Sequence, residues 1–289
     1  MRIGKIGVAV ISLVPFNVYG ECTPTPDCAS IGYTETSCEG DYLACPFDST
    51  KLKCTPCDSS FRYDCSGDNI TAGIGSTCGG KYAHCKCSSS DYVFSNGQCV
   101  CDPSCKVGAI YYSDGTCSAC RLENKNPVGV VVKDNELVMS AYNSGGMHWS
   151  ENGVDLSELD NYESSDTAMS DFDGKNNTQK IVNYYGTEVD VSSNAAVYCY
   201  NYAPYGLENS KGKWYLPAFG ELYSYLQNNY YQLKNVYISK LGWEEFTMCF
   251  WSSTEYNSET VWVDYPASWY KNAIGKSYMS CNVGCFLTI

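Results

Sequence analysis

The chain has 289 residues and carries 32 acidic against 19 basic side chains, which gives a formal net charge of −13. Because binding to nucleic acid or to an anionic membrane surface needs clustered Lys and Arg, this balance argues against both kinds of partner. The length is sufficient for two domains.

The first twenty residues, MRIGKIGVAVISLVPFNVYG, have the pattern of a secretory signal peptide. Arg2 and Lys5 precede an apolar run over residues 6–14, which is too short to span a bilayer. No other long apolar segment follows. We therefore expect an exported protein, secreted or held at the cell surface, with residues 1–20 as signal peptide and no transmembrane segment.

Nineteen cysteines are present, and fifteen of them lie between Cys22 and Cys120. In an exported chain this density indicates a framework of disulfides. The spacings Cys54-x2-Cys57 and Cys117-x2-Cys120 also fit zinc ligands, but an oxidising compartment favours disulfides over metal binding. The odd total implies one unpaired or intermolecular cysteine. We expect neither a metal nor another cofactor.

Residues 21–105 contain an internal repeat. The segments 28–45 and 65–85 both end in Cys-x-Gly-x-Tyr-x2-Cys, and the segment 87–105 resembles a shorter, divergent third copy. Units of this size bury little apolar surface, so cross-links are expected to stabilise each of them. We predict a small, loop-rich, disulfide-stapled module that serves as a spacer or stalk. A cysteine-rich recognition module is the alternative.

The composition changes after Cys120. All six tryptophans and eighteen of the 26 tyrosines follow that residue, together with only four cysteines. In chain order we predict two short strands around a turn at 133–135, and then a helix capped by Asn177 or Thr178 and ended by Gly186. A second short helix is expected in NAAVYCYNY, residues 194–202.

A longer helix is predicted after Trp214, in WYLPAFGELYSYLQNNY. Pro217 suits a first helical turn. One apolar face follows at steps of three and four residues: Phe219, Leu222, Leu226, Tyr230 and Leu233. The stretches CFWSST (249–254) and TVWVDY (260–265) predict strands. A few helices followed by several short strands favour an α+β domain over a parallel doubly wound sheet.

Several phrases in this region resemble, in order, the bacterial Lcl C-terminal-type domain: IYYSDGTCS, NPVGVVV, DGKNNT, AAVYCYNY, WYLPAFGEL and WSSTEYN. The resemblance covers about residues 106–289 and implies a C-type-lectin-like fold. Domains of that family are extracellular ligand binders, and some are implicated in glycan attachment. The same broad fold includes receptors diversified by retroelements, a subcase that coding DNA would reveal.

The chain departs from the family at its end, which reads SCNVGCFLTI where an Arg-x-Val strand is usual. It also lacks the EPN, QPD and WND triplets with which animal C-type lectins hold sugars through calcium. The resemblance further implies a nested pairing of the four late cysteines, Cys199 with Cys285 and Cys249 with Cys281.

The chain offers little for catalysis. It has two histidines, His84 and His148, in different predicted modules, and no Gly-x-Ser-x-Gly elbow. An EF-hand in DFDGKNN would need ligands at Met169 and Lys180, which cannot coordinate calcium. We therefore expect no catalytic residues.

Candidate ligand-binding residues concentrate between 252 and 278, where Tyr and Trp offer large contact area and Asn offers adaptable hydrogen bonds. The residues selected are Tyr256, Asn257, Asp264, Trp269, Tyr270, Lys271 and Asn272. Trp214, Trp251 and Trp262 are expected in the core instead, because they lie in or beside predicted regular structure.

Three functions follow from these observations. The first is an adhesin-like protein that binds a glycan or an extracellular protein without catalysis. The second is a structural or assembly subunit of a surface appendage, in which the aromatic surface meets another subunit. The third and least favoured is a hydrolase with an unrecognised site.

Overall fold

The computed structural model describes residues 27–38, 42–54, 59–142, 144–150, 153–243, 246, 249–268, 270–278 and 281–289. They form two compact units. The N-terminal unit comprises the described residues up to Gly67 together with Thr71–Lys86, and the head comprises Asp68–Ile70 and Cys87–Ile289. The predicted signal peptide lies outside the described residues.

Antiparallel strand pairs form the repeats of the N-terminal unit. β1 (Tyr42–Cys45) pairs with β2 (Asp48–Cys54), and β3 (Ile70–Cys78) pairs with β4 (Lys81–Cys87). A 3-10 turn, Cys28–Ile31, precedes the first pair.

Equivalent disulfides appear in the two repeats. Cys28–Cys45 in the first copy corresponds to Cys65–Cys85 in the second, and the first copy also contains Cys38–Cys54. These bonds confirm the prediction that the N-terminal region is rich in disulfides.

The segment predicted as a third repeat belongs to the head. Its hairpin, β5 (Tyr92–Ser95) and β6 (Gln98–Cys101), is closed by Cys87–Cys99. Two further disulfides, Cys101–Cys120 and Cys105–Cys117, join it to the chain that follows. The compact units divide at Lys86/Cys87, and these cross-links tie residues 87–105 to the rest of the head. The domain boundary at 105/106 stays a prediction.

Two sheets build the head. The larger has six strands in the order β11-β15-β10-β9-β7-β8, and the smaller has three in the order β12-β13-β14. The strands are β7 (Ile110–Tyr112), β8 (Cys117–Ser118), β9 (Pro127–Lys133), β10 (Leu137–Ser140), β11 (Trp214–Tyr215), β12 (Phe250–Glu255), β13 (Thr260–Tyr265), β14 (Tyr270–Gly275) and β15 (Phe286–Thr288). The predicted hairpin at 133–135 is β9–β10, and Asn135 takes the positive φ of 53° that its turn requires.

Short helices complete the head. They are α1 (Ser165–Ala168), α2 (Gly174–Tyr185), α3 (Ala195–Asn201), α4 (Phe219–Leu222) and α5 (Tyr230–Asn235). π-helical turns, Tyr223–Gln227 and Val236–Lys240, extend α4 and α5, and 3-10 turns occupy Val191–Ser193 and Glu208–Ser210. The predicted long helix thus forms in two pieces, with its five apolar positions all buried.

The start of α2 differs from the prediction. Its N-cap is Asp173, four to five residues earlier than expected, while Gly186 ends it as predicted. Asn177 and Thr178 lie in the helix and are buried. Their polar side chains serve tertiary hydrogen bonds, which the sequence pattern does not distinguish from a cap.

The head core is aromatic. Trp149, Trp214 and Trp251 are at most 1% exposed, and Phe250 and Tyr237 are fully buried. The described part is therefore an α+β structure dominated by sheets, as predicted. Within it, no helix has both the length and the apolar character required to cross a lipid bilayer.

The four late cysteines are cross-linked inside the head. Cys199 of α3 bonds Cys285, and Cys249 before β12 bonds Cys281. This is the nested pairing that the family resemblance implies. The first bond joins α3 to the residue before β15, and the second joins the residue before β12 to the segment ahead of β15.

Candidate functional site

A buried polar network occupies the place where three of the distinctive sequence phrases meet. The carboxylate of Asp171 accepts hydrogen bonds from the Asn177 amide at 3.0 Å and from the Thr254 hydroxyl at 2.7 Å. Thr254 in turn accepts the backbone N–H of Phe219 at 2.8 Å. DFDGKNNT, LPAFGEL and WSST are therefore joined by side-chain hydrogen bonds in the interior.

Glu221 forms the second half of this network. Its carboxylate accepts the backbone N–H of Ala218 at 2.8 Å and the hydroxyl of Tyr215 at 3.0 Å. Burial raises the pKa of Glu221 to about 7. A side chain at Gly174 would place its Cβ 2.3 Å from the Glu221 carboxylate, so only glycine fits there. These residues stabilise the fold and present no surface to a ligand.

The predicted binding residues are divided between the two faces of the β13–β14 hairpin. Cross-strand partners share a face, so Tyr270 and Asn272 lie with Tyr265, while Lys271 lies with Asp264. The Lys271 ammonium lies 4.5 Å from the ring centre of Tyr223 on the helical side. The sequence cluster is therefore not one surface. Trp269 lies outside the described residues.

Two further predicted residues have structural contacts. Tyr256 is half-buried with its ring 5.4 Å from that of Trp262. The Asn257 side-chain oxygen accepts the backbone N–H groups of Glu259 and Thr260, at 3.0 and 2.9 Å, and so closes the turn between β12 and β13. Asn257 has a turn-closing role that the prediction of ligand contact did not include.

Asp264 is the most unusual of the predicted residues. Its side chain is fully buried on β13, and neither carboxylate oxygen has a hydrogen-bond partner among the described residues. Burial raises the pKa of Asp264 to about 7. A buried side chain cannot contact a ligand at the surface, so its influence is on stability.

Three tyrosines form one partly exposed cluster on the opposite face, which we call the tyrosine patch: Tyr265, Tyr270 and Tyr278, with Asn272. The rings of Tyr265 and Tyr270 are 5.8 Å apart. Burial raises the pKa of Tyr265, a hydrogen bond from Asn272 lowers it, and the nearby phenols of Tyr270 and Tyr278 raise it further. Tyr270 and Tyr278 are 59% and 62% exposed. The patch combines flat rings, hydroxyls and an amide.

The chain around Tyr278 is held firmly. Lys276 and Glu255 form a fully buried ion pair, and the Lys276 ammonium also donates to the carbonyl of Val154 at 2.6 Å. The His148 ring nitrogen Nδ1 lies 2.7 Å from the carbonyl oxygen of Ser277. The chain directly before Tyr278 is thus attached to the core, which limits the conformational entropy lost on binding.

The binding residues selected from the sequence do not include Tyr265 and Tyr278. Both lie within the aromatic stretch, but whether they belong to the tyrosine patch depends on strand register and on the path of the chain after β14. Alternation along TVWVDY predicts that Tyr265 is on the face of Val263, and only the pairing with Tyr270 shows which exposed residues share that face.

Three cavities of the head are lined by residues outside the tyrosine patch. One of about 670 Å³ lies beside α5, and others of about 340 Å³ lie beside α2. The buried carboxylates Asp171, Glu221, Glu255 and Asp264 line none of these three. Among the residues described, no set of three or more His, Cys, Asp or Glu side chains is arranged to hold a metal ion. What the tyrosine patch can do chemically is stack and hydrogen-bond.

No protein-family model and no curated protein matches the chain. A similar solved structure is the crystal structure of a fimbrial protein from Bacteroides ovatus, with a TM-score of 0.47 and 20% identity. The alignment covers 64% of this chain and 49% of that one, so the match spans about half the length of the fimbrial protein.

Proposed function

We propose that the protein is an exported, non-catalytic binding protein whose head recognises a glycan or an extracellular protein through the tyrosine patch. The observation that carries the proposal is the grouping of Tyr270, Tyr278 and the Asn272 amide around Tyr265, at the β13–β14 hairpin and the chain that follows it. Tyrosine gives large contact area for few rotatable bonds, and sugar rings stack on aromatic faces.

The proposal includes the C-type-lectin-like fold of Lcl C-terminal-type domains for the head. The helices α2 and α3 ahead of the small sheet, and the nested disulfides Cys199–Cys285 and Cys249–Cys281, support this assignment. On this assignment the patch lies in the C-terminal half, where the fold carries its ligand-facing segments.

Export and a surface location are part of the same proposal. Eight disulfides join the described residues, and bonds of this number form and persist in oxidising compartments. The N-terminal sequence supplies the signal peptide that export requires.

The test is a screen of the full chain on an array of glycans and extracellular-matrix proteins. The Tyr270→Ala/Tyr278→Ala variant is compared with Tyr205→Ala/Tyr231→Ala, which removes two rings that are 74% and 81% exposed elsewhere on the head. We expect saturable binding that is lost in the patch variant and retained in the control. Binding that survives in the patch variant would refute the patch.

An appendage subunit is the second candidate, and the free edge of the small sheet favours it. Among the described residues β14 pairs only with β13, so its outer backbone groups are available to a strand from another chain. In that case the array gives no signal. Cross-linking on the producing cell then joins the wild type, and not a variant with Asn272→Pro on β14, to another surface subunit.

A further inference from the structure

A cavity beside α5 is distinct from the tyrosine patch. It has a volume of about 670 Å³, within the range of roughly 300–1,000 Å³ typical of small-molecule sites. Five separate stretches of chain line it: residues 89–91, residues within 102–109, Ala119, Asp134, and one side of residues 232–240. We call it the polar cavity.

Charges inside the polar cavity are paired. The ammonium of Lys240 lies 2.9 Å from the Asp91 carboxylate, and that of Lys106 lies 3.2 Å from Asp102. Lys240 also donates to the carbonyl of Ala119 at 2.7 Å. Because each ammonium already has a carboxylate, a strongly anionic ligand has no free cation to bind. Asp134 gives the lining three carboxylates against two ammonium groups.

The wall of the polar cavity at Val107 is held in position by hydrogen bonds to both backbone polar groups of that residue. The backbone N–H of Val107 donates to Asp134 at 2.7 Å, and its carbonyl accepts the Gln232 amide at 2.6 Å. Gly108 has a φ of +85°, and a Cβ there would lie 2.6 Å from the Gln232 nitrogen. The disulfides Cys101–Cys120 and Cys105–Cys117 cross-link this wall as well. The cavity is therefore preformed, which lowers the cost of ordering it around a ligand.

The lining defines the ligand chemistry. Ser89, Ser90, Asn235 and Gln232 contribute neutral donors and acceptors, and Val107, Ala109 and Val236 contribute small apolar surfaces. Typical small-molecule sites are mostly apolar, whereas the lining of this cavity combines hydroxyl, amide and carboxylate groups. Such a lining complements a neutral molecule that carries many hydroxyls over an apolar ring.

We propose that the polar cavity binds a neutral mono- or disaccharide. One ring face lies on the Val107–Ala109 and Val236 surface, and hydroxyls bond Asp134, Gln232 and Asn235. This site does not depend on the tyrosine patch.

The test uses the full chain with glucose, galactose, mannose, maltose and lactose, and with glucuronate as the charged comparator. Saturation-transfer NMR finds a binder, and isothermal titration measures its affinity. Ser90→Trp replaces an exposed serine of the lining with a ring that fills the cavity. We expect at least one neutral sugar to bind the wild type, glucuronate to bind more weakly, and Ser90→Trp to reduce affinity about tenfold or more.

Two controls keep the test decisive. Asp134→Asn keeps an oxygen for the Val107 N–H and removes the charge, and we expect the affinity for the sugar to fall severalfold. Asp160→Asn changes an exposed aspartate elsewhere, and we expect it to leave that affinity unchanged. An unchanged thermal midpoint in Ser90→Trp excludes unfolding as the cause. The proposal is overturned if no neutral sugar binds, or if binding survives Ser90→Trp. Sugar binding lost only in Tyr270→Ala/Tyr278→Ala would assign it to the patch and overturn the polar cavity alone.

Discussion

The N-terminal unit and the head use cysteine in different ways. In the described residues of the N-terminal unit, the buried apolar side chains are four cysteines: Cys28, Cys45, Cys78 and Cys85. In the head, disulfides are added to clusters of buried tryptophan, tyrosine, phenylalanine and branched aliphatic residues. Cross-links substitute for a core in the first region, whereas in the second they supplement one.

The largest effect that this comparison predicts is the unfolding of the N-terminal unit when the disulfides are reduced. Without disulfides the N-terminal unit has almost no buried apolar surface to offset chain entropy, so it should unfold completely. The head should keep its tertiary structure with a lower thermal midpoint. All six tryptophans lie at or beyond residue 149, so their fluorescence reports on the head alone. Limited proteolysis in reducing buffer should remove residues before 87 while the tryptophan emission stays native.

If both regions were lost together in reducing buffer, the head would depend on its disulfides as much as the N-terminal unit does, and the contrast would fail. The unreduced chain under the same protease provides the control.

Within the head, the next largest effect concerns Asp264. Its pKa is about 7 in the folded chain against 3.8 as the ordinary value, so the folded state favours the protonated form. The contribution of Asp264 to native stability is therefore fully present below pH 3.8 and is lost as the pH rises toward 7. The difference between the two pKa values corresponds to about 4 kcal/mol as an upper limit.

Asp264→Asn should remove the pH dependence of stability that Asp264 causes. The free energy of unfolding of the variant, relative to that of the wild type, should therefore rise between pH 4 and pH 8. Urea unfolding at several pH values measures it. Asp160→Asn, on the surface, should change stability similarly at every pH. A parallel pH dependence for Asp264→Asn and wild type would show that Asp264 does not titrate in this range.

The polar network that joins the three sequence phrases should give the next effect. Thr254→Val leaves the Phe219 N–H without its acceptor and removes one donor from Asp171. Each buried polar group left unsatisfied costs about 1–3 kcal/mol, so we expect a loss of about 2–4 kcal/mol in chemical unfolding.

Thr187→Val is the matched control, because the Thr187 hydroxyl donates to the exposed neighbour Glu188. It should change the free energy of unfolding by less than about 0.5 kcal/mol. Equal losses in the two variants would mean that the network adds nothing to the stability of the head.

The smallest stability effect is expected at the patch. Tyr270→Ala removes a ring that is 59% exposed and should alter the free energy of unfolding by no more than about 0.5 kcal/mol. The same change should weaken ligand binding about tenfold or more if the ring stacks on the ligand. A large loss of stability would instead identify Tyr270 as a structural residue and remove the basis for the patch.

Local patterns were sufficient for much of the architecture. Spacing of apolar residues located the helical region after Pro217 and the strand at Thr260–Tyr265, because helix and strand periodicities differ. The predicted start of α2 was wrong because Asn177 and Thr178 are as suitable for a helix cap as for buried hydrogen bonds. The same ambiguity affected Asn257, whose side chain closes a turn.

The sequence by itself determined the α+β composition of the head, the repeated disulfide-stapled unit and the aromatic stretch near the C-terminus. Those features follow from composition and from contacts between near neighbours in the chain. Only the tertiary structure decided that Lys271 and Asp264 face away from Tyr270, that Tyr278 folds back beside Tyr265, and that five separate segments line one polar cavity. Strand register and long-range packing set these positions, and a shift of one residue in register exchanges the two faces of a strand.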